Sequence, residues 1–401
     1  MTGRTDYVHV PRAIEDPYCP TSVPMYQTAT FGQSRADGFD EFDYSRSGNP
    51  TRRVLEDQLA RIEHGTSAYA FSSGMAAISA VVRLCRAGDE VLVGDESYGG
   101  TIRLLREIAP RLGLTARAVD TTCPKRVAAS ITDRTRLLLL ETPSNPTLRI
   151  TDLAAMSSIA RQRGIILAVD NTMLSPWLQN PLDHGADVVV HSATKHLNGH
   201  GDVTAGAVCT SRADLAGSIA FIQNAEGAAL GPFDSWLLLR GLATLPLRLE
   251  AQQRSAGLIA DWLADHAAVA EVFYPTLPTH PGLDIQRRQA RGGGCVISVR
   301  TGSPETARHI VERTRLFRTT VSFGCISSSI SLPRCMSHAC VDAGSGGLGA
   351  RPVPPDLVRL SVGIEDPNDL IADLDRALRP VVQAAATRVP SPARTGAGTD
   401  G

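Results

Sequence analysis

The sequence predicts an α/β fold whose central sheet is mostly parallel and sandwiched by helices, followed by a smaller α+β unit. Between Thr51 and about Leu245, short and almost wholly apolar runs alternate with stretches of helical periodicity. Such runs lack the in–out alternation of a half-exposed strand, so each strand is expected to be buried on both faces, as in a parallel sheet covered by helices. Near Leu245 the rhythm changes to one long helical stretch with sparser strands behind it. That change marks the second unit.

In chain order, residues 1 to about 50 show little periodicity and several turn formers, and read as an extended arm. Arg52–Ile62 has the spacing of a helix. Ala68–Phe71 precedes Ser72-Ser-Gly-Met-Ala-Ala77, which opens a helix of small residues. Glu90–Val93, Leu137–Leu140, Ile165–Val169 and Asp187–Val190 read as strands, with a helix over Leu153–Arg163. Leu247–His266 is the long helix; Val296–Val299 and Arg359–Val362 are strands, and Leu370–Leu378 is the last helix. From Ala385 the chain is rich in Ala, Pro, Thr and Gly and reads as a disordered tail. The expected units are therefore an arm (1–50), an α/β domain (51–245), an α+β domain (246–384) and the tail (385–401). Gly344-Ser-Gly-Gly-Leu-Gly349 has the spacing of a dinucleotide fingerprint. It lacks a good strand before it, and Arg351-Pro-Val-Pro-Pro355 forbids a helix after it, so it reads as a loop.

The 40 basic and 41 acidic residues leave a formal net charge of −1, with no basic tail or arginine-rich patch. Nucleic acid and anionic membranes are thus not expected partners. Met1–Val10 lacks the apolar core of a signal peptide, and no run has the length of a membrane span. The eight cysteines are scattered, without a Cys-x-x-Cys pair. This usage fits a cytoplasmic, reducing setting and argues against structural zinc.

The chemistry gathers at the ends of the expected strands. Asp187-Val-Val-Val-His-Ser-Ala-Thr-Lys195 places a lysine just past a buried strand, behind the hydroxyls of Ser192 and Thr194. Open α/β sheets bind ligands at that edge. Apolar walls depress a lysine pKa and free its amine to attack a carbonyl, and a lysine bonded to an aldehyde beside a phosphate is how pyridoxal 5′-phosphate is held. The start of the small-residue helix offers unpaired amides at Gly74 and Met75 to an anion. Asp170 ends a buried strand, where a carboxylate needs a cation or several donors; a protonated pyridine is such a cation. Asn145 sits in the Glu141-Thr-Pro-Ser-Asn-Pro146 turn, placed to hydrogen-bond a phenolic oxygen. Tyr98, before Gly-Gly, offers an aromatic face. The first four have ordinary alternatives: a solvated loop lysine, a tightly packed helix start, an N-cap, a proline-flanked turn.

In this order the motifs resemble the cysteine/methionine-metabolism family of fold-type-I pyridoxal-phosphate enzymes, from about Pro17 to Leu378. The resemblance is nearest to plant-type cystathionine β-lyases. Supporting segments include Pro24-Met-Tyr-Gln-Thr-Ala-Thr-Phe31, Asp43-Tyr-Ser-Arg-Ser-Gly-Asn-Pro-Thr51, Val321-Ser-Phe-Gly324, Met336-Ser-His338 and Arg359-Leu-Ser-Val-Gly-Ile-Glu-Asp366. It implies Lys195 as the Schiff-base lysine and Asp170 as partner of the pyridine nitrogen. It assigns the phosphate to the Gly74 and Met75 amides with Ser192 and Thr194, and ring stacking and proton transfer to Tyr98. Arg359 would clamp the substrate α-carboxylate, with Ser322 and Asn145 in the same region. Tyr44 and Arg46 would reach the cofactor of a neighbouring subunit, within a homotetramer built as a dimer of dimers.

The sequence departs from the family pattern at His196, Val321, Ser327 and Ser329, and in the glycine-rich loop at 344–350. His191, His196 and His200 match no standard zinc spacing, so no metal is expected. The implied reaction is β-elimination of cystathionine or a related cysteine thioether, with γ-elimination or γ-replacement as the alternative. A cofactor-binding protein without catalysis is the reading from another class; the joint presence of Lys195, Asp170, Tyr98 and Arg359 argues against it. A nicotinamide oxidoreductase would rest on the 344–349 loop alone.

Overall fold

The computed structural model describes residues 3–10, 16–339 and 348–386. Its larger sheet holds β1 (Ser67–Phe71), β2 (Glu90–Gly94), β3 (Thr115–Val119), β4 (Thr135–Glu141), β5 (Ile166–Asp170), β6 (Val188–His191) and β7 (Gly206–Thr210). The order across it is β1-β7-β6-β5-β4-β2-β3. β6, β5, β4, β2 and β3 run parallel, and β7 is antiparallel to both of its neighbours. The predicted mostly parallel, helix-covered sheet is thus present. Leu137–Leu140 and Val188–Val190 are fully buried, as apolar strands between two helical layers must be.

Local chemistry sets the flanking helices. Asn49 caps Pro50–Ile62 through a side-chain bond from Thr51 N at 3.0 Å, and Pro50 sits in the first turn, where its missing N–H costs nothing. Asp152 caps Leu153–Arg163, and Gly164, at φ 62°, closes it in the left-handed conformation. Leu55 and Leu59 of the first helix pack with Ala70, Val189 and Cys209 on one face of the sheet. Ile78 and Val81 of Gly74–Val82 pack with Val188, Val190 and Val208 on the other. Burying each of these leucine, isoleucine and valine side chains contributes about 1.5–3 kcal/mol against exposure.

The smaller sheet holds β8 (Glu271–Phe273), β9 (Val296–Arg300), β10 (Arg318–Thr319), β11 (Ser329–Ser331) and β12 (Leu357–Ser361), in the order β10-β11-β12-β9-β8. The helices Leu245–Ala264, Pro304–Arg313 and Pro367–Ala386 share a core with it. The last helix runs to Ala386, two residues into the expected tail, whose remainder lies outside the described residues. Most of the 344–349 loop also lies outside them. The arm is mainly turns and extended chain, with a short helix at Thr5–Val8. No helix among the described residues is long and apolar enough to cross a membrane.

Candidate active site

The parallel strands deliver their carboxyl ends to one edge. β4 ends in Glu141, β5 in Asp170, and the turn after β6 carries Ser192, Thr194 and Lys195. β2 leads through Asp95 and Glu96 to Tyr98. From the smaller sheet β12 contributes Arg359. Residues far apart in sequence meet here because topology places every β-to-α turn on the same side.

Lys195 Nζ donates to Ser322 Oγ at 2.5 Å and lies 5.4 Å from the centre of the Phe323 ring. Burial, with the nearby Arg359 charge, pushes its pKa down to about 8; Asp170 opposes the shift. An amine so placed spends more time neutral and nucleophilic than a surface lysine. Ser322 adopts φ 85°, a left-handed conformation unusual for a side chain and costing on the order of 1–3 kcal/mol. In that conformation its hydroxyl meets Lys195 while its carbonyl accepts from Arg359 Nη2 at 3.0 Å. Arg359 Nη1 donates to Asn145 Oδ1 at 2.9 Å. The guanidinium is 2% exposed, and burial lowers its pKa to about 10, still cationic at neutral pH.

Asp170 accepts from Thr172 N at 3.0 Å and from Thr172 Oγ1 at 2.5 Å. Burial raises its pKa, against those two bonds and the fields of His191 and Lys195. Tyr98 is at the mouth, its ring edge-on to His338 at 6.3 Å, and its N–H donates to Glu141 Oε2 at 2.8 Å. His338 is buried and its pKa is pushed down to about 4, chiefly by that burial and then by Arg359, so it is neutral at physiological pH.

At the start of Gly74–Val82, Ser73 Oγ accepts from Ala76 N at 3.1 Å. The amides of Gly74 and Met75 lie in the first turn, beyond the reach of intrahelical acceptors. A Cβ on Gly74 would stand 2.7 Å from Ser192 Cβ, so glycine is what lets the helix start meet the turn after β6. Gly206 of β7 closes in from below, with no room for a Cβ against the Ser73 carbonyl. The Thr194 hydroxyl accepts from Ala205 N at 2.9 Å and lies 3.2 Å from Ala205 O, which fixes the turn.

The structure therefore brings Lys195, Ser322, Arg359 and Asn145 into one bonded chain, and sets Asp170, Tyr98, Gly74, Ser192 and Thr194 around the same strand ends. It does not bring in Tyr44 or Arg46. Tyr44 is exposed, and Arg46 donates to Asn224 O at 2.7 Å and lies over the Tyr44 ring. The three histidines go separate ways. His191 pairs with buried Glu63 at 2.5 Å, and His196 lies against Phe323 with ring centres 5.7 Å apart. His200 bonds the Asn198 carbonyl at 2.7 Å. No group of three ligand-type side chains that could hold a metal ion occurs among the described residues. Sequence reasoning passed over Glu141, Phe323, His338 and Gly206; the first three stand in motifs it quoted, but without the fold nothing singles them out.

These elements match known proteins. The family model described as "Cys/Met metabolism PLP-dependent enzyme" covers residues 4–379. The chain is 48% identical over 363 residues to the chloroplastic cystathionine beta-lyase of Mimosa pudica, covering 90% of this chain and 79% of that protein. The crystal structure of cystathionine gamma-lyase from Lactobacillus plantarum complexed with L-serine aligns with TM-score 0.90 and 40% identity over 94% of this chain and 99% of that one. That of cystathionine gamma synthase from Xanthomonas oryzae pv. oryzae, in complex with aminoacrylate and cysteine, aligns with TM-score 0.90 and 38% identity over 96% and 99%. The fold is that of a fold-type-I pyridoxal-phosphate enzyme. The chain belongs to the Cys/Met-metabolism family of PLP-dependent enzymes.

The residues fit that cofactor on physical grounds. A helix start with free amides faces hydroxyl residues across a glycine that leaves the approach open. The Lys195 amine is shifted toward its neutral form, and Asp170 is a buried carboxylate bonded, among the described residues, to the Thr172 amide and hydroxyl.

Proposed function

We propose that the protein is a carbon–sulfur lyase that cleaves cystathionine or a related cysteine thioether by β-elimination, releasing a thiol, pyruvate and ammonia. The observation that carries the chemistry is the chain Lys195–Ser322–Arg359–Asn145, which puts a depressed-pKa amine beside a buried cationic fork. Bound pyridoxal phosphate supplies an electron sink for the charge released at Cα. Lys195 would hold the cofactor, and its amine is the base for the substrate's Cα proton. Asp170 would partner the ring nitrogen, Tyr98 would stack on the ring, and Asn145 would serve the phenolic oxygen. The Gly74 and Met75 amides with Ser192 and Thr194 would hold the phosphate. Arg359, with Asn145 and Ser322 beside it, orients the α-carboxylate so that the Cα–H bond points at the base. The C–S bond then breaks, the thiolate leaves, and water completes the conversion to pyruvate and ammonia.

β-Elimination is favoured over γ-chemistry by the identity to cystathionine beta-lyase and by Val321, an apolar residue 52% exposed beside Ser322. The γ-reading is supported by the gamma-lyase and gamma-synthase structures, which share the fold almost completely. Product analysis with cystathionine separates them. Pyruvate with homocysteine supports the proposal; 2-oxobutyrate with cysteine overturns it. The reading also takes residues 51–245 as the cofactor-binding domain and 246–384 as the smaller domain. It places the enzyme in the cytoplasm as a homotetramer in which Tyr44 and Arg46 complete a neighbour's site.

A further inference from the structure

Glu141 has no part in the reaction described above, yet it sits at the centre of the site. In the register of the sheet it is the partner of Asp170 on the adjoining strand, so the two carboxyl groups leave the same face one strand spacing apart. Both are at least nine-tenths buried. A third carboxylate, Glu96, is buried nearby; Arg359 is the cation that bears on Glu141, while Lys195 and His191 bear on Asp170. Donors are shared unequally among the three. Glu96 takes bonds from Ser144 Oγ (2.7 Å), Thr147 N (3.1 Å) and Thr147 Oγ1 (2.6 Å). Asp170 takes the two from Thr172. Among the described residues Glu141 takes one, from the Tyr98 amide.

Adjacent buried carboxylates do not all ionise, and the proton settles on the one least supported by donors. Here that is Glu141: burial first, then the Asp170 charge, raises its pKa well above the usual carboxylate range, with Arg359 a weaker opposing influence. A neutral Glu141 keeps its carbonyl-type oxygen for the Tyr98 amide and imposes no second negative charge beside the cofactor.

We propose that Glu141 is a positioning residue of the cofactor site that carries a proton. It holds the Tyr98 peptide in place and leaves Asp170 as the charged carboxylate facing the ring nitrogen. The proposal concerns the cofactor and not the thioether, so it stands or falls independently of which C–S bond is broken.

Infrared difference spectroscopy of the cofactor-loaded enzyme tests it. Subtracting Glu141→Gln from wild type should leave the C=O stretch of a protonated carboxyl group, because glutamine removes that group. A lost carboxylate band with no protonated band would overturn the proposal. Because Glu141→Gln removes no charge and keeps an acceptor for Tyr98, its affinity for pyridoxal phosphate should stay within about threefold of wild type. A loss greater than about tenfold would show that a charge had been removed and would equally overturn it. Should the glutamine variant fail to fold, Glu141→Asp carries the same test, since it retains an acid group and moves the protonated band without deleting it.

Discussion

At the scale of the residue, Lys195 and Arg359 make the sharpest predictions. Lys195→Ala should abolish turnover and the covalent absorbance of the bound cofactor while leaving the melting of the apoprotein nearly intact; persistent turnover in the pure variant would refute the assignment. The pKa of Lys195 near 8 has a kinetic sign. Its amine is reactive only when deprotonated, so capture of pyridoxal phosphate by the apoenzyme should accelerate as pH rises and level off above about 8, far below an ordinary lysine. Stopped-flow absorbance across that range measures it; a rate still climbing steeply toward pH 10 would contradict the structure. Arg359→Lys keeps charge and loses the two-pronged fork, so kcat/KM should fall by about a hundredfold or more while cofactor absorbance is kept. Lys195 was legible in the sequence because an apolar strand, two hydroxyl residues and a lysine follow one another without a gap. Glu141 was not, since a glutamate before a proline is unremarkable until strand pairing sets it beside Asp170.

At the scale of the element, the glycines where Gly74–Val82 meets β7 control the site. Gly74→Ala would press a methyl group on the Ser192 side chain and backbone, and Gly206→Ala would press one on the Ser73 carbonyl, which cannot step aside. Each should cost about 1–3 kcal/mol of stability by overpacking and weaken cofactor binding roughly tenfold or more. Gly217, inside the helix Ala213–Glu226, has no neighbour within 4 Å of an added Cβ. Gly217→Ala should leave cofactor affinity unchanged and stabilise by up to about 1 kcal/mol. Titration and thermal melts of the three variants test the contrast. The buried apolar strands were readable because wholly apolar runs have few other uses. β3 was not, for it is an edge strand of sequence Thr-Ala-Arg-Ala-Val with only Val119 buried. β7 begins with glycine and carries a threonine, and its antiparallel insertion between β1 and β6 leaves no mark in the sequence. Pro304–Arg313 is amphipathic and capped by Ser303, a helix that the sequence reading passed over.

At the scale of the whole molecule, the exposed positions of Tyr44 and Arg46 are the feature to explain, since both are expected site residues that the single chain leaves out of the strand-end cluster. If each site borrows them from a neighbour, inactive Lys195→Ala and Arg46→Ala enzymes should complement one another. A hybrid dimer carries one site with both defects and one with neither, so random mixing should recover about a quarter of wild-type activity. No recovery in demonstrably mixed assemblies would mean that each subunit works alone. The sequence reached this arrangement only through family resemblance, because a contact between two copies has no signature in the spacing of one.

The fork of Arg359 also decides which molecules the enzyme ignores. Among the described residues its bonded neighbours are an amide oxygen and a peptide carbonyl, both neutral, and with Glu141 protonated none of these gives its positive charge a counter-ion until something brings one. An amino acid arrives with its own carboxylate. A decarboxylated thioether amine of the same length and shape does not, and binding it would leave a buried cation unneutralised. The site thus discriminates against the amine pool of a cell without any surface shaped to exclude it, through a debt of one charge that only an α-amino acid can settle.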